Sequence, residues 1–178
     1  MKRILLSSLC FFALLPVARA DQNQVIDAMR IRLESAGMLQ ESLTDALREG
    51  LADYGVEPFR SQDKAAMNAS LHVMGEALAE GGDPRRAGEL GAMSWIAVQR
   101  GAPADLVEGV ALYGVAHKLA PDTLAQWCLG AAEMMRFGLP RRQAEELIFM
   151  SARHGWDLEA FRAVKWALVR AARDGLDT

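Results

Sequence analysis

Imidazole can carry a proton or hold a metal near neutral pH, so His72, His117 and His154 are the first side chains to consider. His117 and His154 stand 37 residues apart, which predicts equivalent places near the ends of two alternate helices. Histidine at a helix C-terminus is favoured by the helix dipole. No carboxylate or cysteine is spaced to complete a ligand set with either, so neither a metal nor a cofactor is expected. His72 shares a predicted face with Asn68 and Glu76 and reads as solvated. Cys128 falls on a stripe with Leu124, Trp127 and Ala131, where a cysteine is a small buried hydrophobe. Met67 and Met74 occupy a core stripe of another helix, and Met134-Met135 beside Phe137 could line an apolar groove.

The cationic and aromatic residues suggest a binding surface. Pro84-Arg85-Arg86 and Pro140-Arg141-Arg142 are matched, each with a glutamate five residues after the proline, Glu89 and Glu145. Arginine in a first helical turn opposes the dipole. Two roles fit these arginines: pairing with the glutamates one turn on, or gripping a carboxylate of a partner. Trp166 is flanked at helical spacing by Arg162, Arg170 and Arg173. No helix follows to cover it, and a tryptophan among arginines has the composition of an interface hot spot. The alternative is that Trp166 folds against the helix that begins at Pro140.

Among acids, Glu34-Ser35 followed by Gly37-Met38-Leu39-Gln40 resembles the lytic transglycosylase motif, in which a Glu-Ser pair carries the catalytic acid. That resemblance implies hydrolysis of cell-wall sugars with Glu34 as the acid. This chain departs from the family pattern by fusing two pieces that a cleft-shaping loop separates there. Glu108 and Glu133 are further acids within central helices.

These residues are positioned by a punctuated run of helices. Gly82-Asp-Pro, Gly101-Ala-Pro, Ala120-Pro-Asp, Gly138-Leu-Pro, Gly155-Trp-Asp and Gly175-Leu-Asp recur every 17 to 20 residues. Gly101, Gly138 and Gly175 keep a spacing of 37, the mark of stacked helical hairpins. Glycine suits the residue after a helix, and proline or aspartate suits the start of the next. The predicted helices cover 21–36, 39–54, 61–80 (capped by Ser61), 84–99, 103–118, 121–137, 140–154 and 157–173. The helix from Pro103 is apolar almost all round, as expected of an element covered on both sides. In the last helix Leu158, Phe161, Val164 and Leu168 form the predicted buried stripe. Gly88, Gly91, Gly109, Gly114 and Gly130 lie inside predicted helices, each at a cost of about 1 kcal/mol against alanine; close helix crossings would offset it.

The predicted fold is therefore all-α: about eight short antiparallel helices in a helical-repeat (α-solenoid-like) or compact bundle arrangement, with residues 82–178 the most regular part. The spacing is similar to that of tetratricopeptide and HEAT-type arrays. The residues differ, because Trp127-Cys-Leu-Gly130 is one residue short of the tetratricopeptide Trp-x-x-Leu-Gly and has no companion.

Composition sets the setting. Half the chain is apolar and only 7% aromatic, which favours helices built on Ala, Leu, Val and Met. Residues 1–20 read as a signal peptide: Lys2-Arg3, an apolar run Ile4–Leu15 too short to span a bilayer, then Pro16 and the small-x-small Ala18-Arg19-Ala20. Cleavage after Ala20 would leave a single domain, 21–178, in the periplasm or outside the cell. It would have no membrane span and only Cys128 as a cysteine. It would carry 17 bases against 23 acids, −6 with histidine neutral, a balance that argues against nucleic acid as a partner. Three functions are expected in order. The first is a protein–protein interaction module or adaptor of the cell envelope, acting through Trp166, Arg162, Arg170, Arg173, Arg141 and Arg142. The second is a carrier of a hydrophobic ligand, lined by Tyr113, Trp127, Met134 and Met135. The third is the glycan hydrolase.

Overall fold

The computed structural model describes residues 19–20, 22–54, 59–60 and 63–175. Among them are eight helices: α1 (Gln22–Ser35), α2 (Glu41–Tyr54), α3 (Lys64–Ala79), α4 (Pro84–Gln99), α5 (Ala104–Ala116), α6 (Pro121–Arg136), α7 (Arg141–His154) and α8 (Leu158–Arg173). A two-residue antiparallel ladder, β1 (Arg19–Ala20) with β2 (Phe59–Arg60), is too short to make a layer, so the architecture is all-α. The expected leader lies outside the described residues except for its last two, which form β1. The predicted cap of α3, Ser61, also lies outside them; the helix is capped instead by Asp63, whose carboxylate accepts from the Ala66 N–H at 3.0 Å.

Turn chemistry fixes where α1 and α3 to α8 stop. Gly37, Gly81, Gly101, Gly138, Gly155 and Gly175 have φ between 61° and 103°, in the left-handed region that a Cβ disfavours. Five of the turns show the same long closing bond across the helix end. The Met38 N–H donates to Leu33 O, Gly82 to Ala77 O, Ala102 to Ala97 O, Leu139 to Met134 O, and Trp156 to Ser151 O. A sixth, Leu119 to Gly114 O, closes the turn after α5. There the left-handed residue is Lys118 (φ 54°), the one non-glycine of the described residues in that region. Gly81, Lys118 and Gly155 are 37 apart, as are Gly101, Gly138 and Gly175. Lys118 therefore occupies a glycine's slot, two residues before the marker that the sequence suggests at Ala120.

The helices stack in two rows. α2, α4, α6 and α8 touch in series, as do α1, α3 and α5, and the rows are joined at α1–α2 and at each consecutive pair from α3 onward. The first three helices thus continue the stack. α4 is the most enclosed: it touches α2, α3, α5 and α6, and apart from half-buried Glu89 it is buried from Ala87 to Ala97. α5, predicted to be covered on both sides, touches α3, α4 and α6 but leaves Gly109 and Ala116 open to solvent.

Glycines let α2 and α4 meet closely. A Cβ at Gly88 would lie 2.4 Å from Leu43 O, and one at Gly50 would lie 2.7 Å from Ala92 Cβ. Gly91, Gly114 and Gly130 receive Met74, Leu124 and Phe161 in the same manner. Four of the five glycines expected inside helices, and Gly50 besides, therefore mark tight crossings, and the space at each is filled by a neighbour. Gly109 faces open space.

Candidate interaction surface

The polar side chains repeat with the fold. Arg85 on α4 reaches Glu49 on α2. His72 Nδ1 on α3 lies 3.0 Å from Glu108 Oε2 on α5, and Arg141 on α7 donates to Asp105 on α5 at 2.6 Å. Arg162 on α8 donates to Gln126 on α6 at 3.1 Å. Each pair is 36 residues apart and joins a helix to the one two further on. These contacts form a ladder along the stack, which a search for complementary polar residues 36 apart could have found in the sequence.

The matched arginines belong to this ladder. Arg141 also bonds Glu145 at 2.5 Å, and Arg85 stands 3.6 Å from Glu89, so the expected one-turn pairs form. The Arg141 hydrogen bond is the main reason that the Asp105 carboxyl is held below its ordinary range, and the arginine's own proton is held more tightly in return. Arg142 bonds Glu146 at 2.9 Å with most of its side chain in solvent. Arg86 instead turns inward and donates to Leu119 O at 2.7 Å, binding the turn after α5 to α4.

The last helix differs from its predicted stripe. α8 buries Phe161, Lys165 and Val169, while Leu158, Val164 and Leu168 are half-buried. Lys165 is enclosed because Glu133 on α6 forms an ion pair with it; its side chain is 8% exposed against 35% for Glu133. Its stem runs beside Gly130, where a Cβ would come within 3.5 Å of Lys165 Cδ. The Lys165 ammonium lies 4.4 Å from the centre of the Trp166 ring. Sequence reasoning missed Lys165, since a lysine on a core stripe is legible only with its acid in view.

Trp166 is 46% exposed. It leans on Phe137, at the end of α6, with ring centres 6.2 Å apart and planes tilted by 56°. It does not fold away beneath α7. Arg162, Arg170 and Arg173 are exposed on the same helix, and α7 adds exposed Phe149 and Met150. The last two helices therefore expose aromatic and apolar side chains, with exposed arginines on α8.

The other candidate residues are dispersed. Trp127 and Met134 belong to the core, and Met135 is half-buried against it. Tyr113 stacks on His117 at 3.9 Å. Cys128 is buried, and burial pushes its thiol pKa up. His117 follows α5, with Nδ1 at 2.9 Å from Tyr113 O, and His154 ends α7. Glu34, Ser35 and Gln40 are exposed, and the Ser35 hydroxyl donates to Ile31 O at 2.8 Å. No group of three or more metal-ligating side chains occurs among the described residues. A groove of about 480 Å³ lies between α1 and α2, lined in part by Ile26, Asp27, Leu39, Glu41, Thr44 and Asp45. No family model, no curated protein and no solved structure matches the chain.

Proposed function

We propose that this chain is an exported helical-repeat adaptor that binds another protein of the cell envelope through the C-terminal end of its stack. The observation that carries the reading is Trp166: nearly half exposed, braced by Phe137 and Lys165, with Arg162, Arg170 and Arg173 on the same helix. A braced tryptophan loses little conformational freedom on binding, and exposed arginines around it supply directional hydrogen bonds to an acidic or carbonyl-rich surface. The leader-like N-terminus supports export. No helix among the described residues is long and apolar enough to cross a membrane.

The test is a cross-linked pull-down from the native envelope, wild type beside Trp166→Ala, followed by reconstitution with the purified partner. A hot-spot tryptophan is worth about 2 kcal/mol or more, so affinity should fall by about 30-fold. Unchanged recovery and affinity with both Trp166→Ala and Arg162→Ala would remove this face from the function.

A further inference from the structure

We propose that the chain binds a second copy of itself head to tail, the open side of α8 in one copy seating on the α1–α2 groove of the next. This rests on the C-terminal face proposed above and names one occupant for it. Ile31, Phe137, Phe149, Met150 and Trp166 are the exposed large apolar side chains of the described residues. Ile31 lies on α1 and the other four from the end of α6 onward; the described side chains of α2 to α5 include none. In a stack each hairpin is covered by the next, and a terminal repeat meant for solvent has a polar outer face. Here the uncovered apolar side chains are concentrated at the two ends.

The ends are also complementary. The exposed charges of α8 are Arg162, Arg170 and Arg173 against one acid, Glu159. α1 and α2 carry Asp27, Glu34, Glu41, Asp45, Glu49 and Asp53 against Arg30, Arg32 and Arg48. Helical spacing turns Ala163 and Ala167 of α8 away from buried Phe161 and Lys165, with Trp166 and Arg170 beside them. On α2, Glu41, Thr44, Asp45 and Arg48 point away from the residues packed on α4 and line the groove. The groove's volume accommodates an indole. Like signs at each end disfavour tail-to-tail and head-to-head pairing, so the contact is heterologous and propagates the repeat between chains.

The test is sedimentation velocity of the purified chain at low salt, with two variants altered only at exposed positions. Trp166→Ala with Arg170→Glu spoils the tail; Asp27→Arg with Asp45→Arg spoils the head. The wild type should gain mass with concentration up to about 100 µM, the range in which a micromolar contact is populated. It should lose that gain at high salt. Each variant alone should remain monomeric, whereas their mixture, which retains one sound head and one sound tail, should form a 1:1 dimer and nothing larger. A wild type that is monomeric throughout, a tail variant that still self-associates, or a mixture that stays monomeric would each overturn the proposal. A monomeric wild type whose envelope partner is still lost with Trp166→Ala would overturn self-assembly alone and leave the adaptor reading standing.

Discussion

Removing either member of the Glu133–Lys165 pair should have unequal costs. The ammonium is the desolvated partner: the Lys165 side chain is 8% exposed and that of Glu133 is 35%. Glu133→Gln leaves a buried positive charge facing a neutral amide. Breaking a fully buried pair in this way costs 3–5 kcal/mol. The partial exposure of Glu133 and the Trp166 ring face beside the ammonium reduce the expected cost to about 2 kcal/mol. Lys165→Met keeps a stem of similar length beside Gly130 and leaves a carboxylate that water already reaches, so its cost should be below about 1 kcal/mol. For a domain of this size, Glu133→Gln should then lower Tm by about 4–8 °C and Lys165→Met by less than half of that. Urea unfolding, followed by far-ultraviolet circular dichroism and tryptophan fluorescence, would measure both, with an unchanged slope showing that stability alone has moved. Equal losses in the two variants, or a greater loss in Lys165→Met, would refute the assignment of Lys165 as the dependent partner.

Three further outcomes follow from local geometry. Lys118→Gly should stabilise the chain by about 1 kcal/mol, because the left-handed backbone there penalises a Cβ; Gly138→Ala, read in the same denaturation assay, should destabilise it by a similar amount. Gly88→Ala should cost about 2 kcal/mol, since its Cβ would strike the backbone of α2, whereas Gly109→Ala meets nothing within 4 Å and should gain about 1 kcal/mol. The Asp105 carboxyl should titrate below its ordinary value in the folded chain, as read by NMR, and move up toward that value in Arg141→Gln. Because the folded pKa is the depressed one, the stability contributed by Asp105 is present above its unfolded pKa and is lost as pH falls through the folded one; Asp105→Asn should flatten that part of the acid-unfolding profile.

The stack was legible because its punctuation is local. A glycine that needs positive φ, then a proline or aspartate within a few residues, marks most boundaries from Gly81 onward without knowledge of the rest of the chain. Boundaries were missed where two residues compete for one role, as Asp63 and Ser61 do before α3, or where Lys118 takes a glycine's place. Interior features were less legible because their causes lie one repeat away. Lys165 reads as a surface residue until Glu133 is set against it. Arg85 and Arg141 show one partner at short range, Glu89 and Glu145, but their second partners, Glu49 and Asp105, lie 36 residues upstream. Trp166 was undecided by helical periodicity, since its exposure depends on whether Phe137 or α7 receives it.

The equal spacing of the left-handed turns bears on how such a chain can change over generations. Gly101 and Gly138 close α4 and α6 with the same bonding pattern, and the residue after each, Ala102 or Leu139, is apolar and buried. A recombination that joined the codon for Gly101 to that for Leu139 would remove 37 residues and leave an intact turn at the junction. Insertion by the reverse route would lengthen the protein by one hairpin. Reach is therefore inherited in whole hairpins, whereas a loss or gain of one or two residues within a helix would put every cross-repeat pair that spans it out of register.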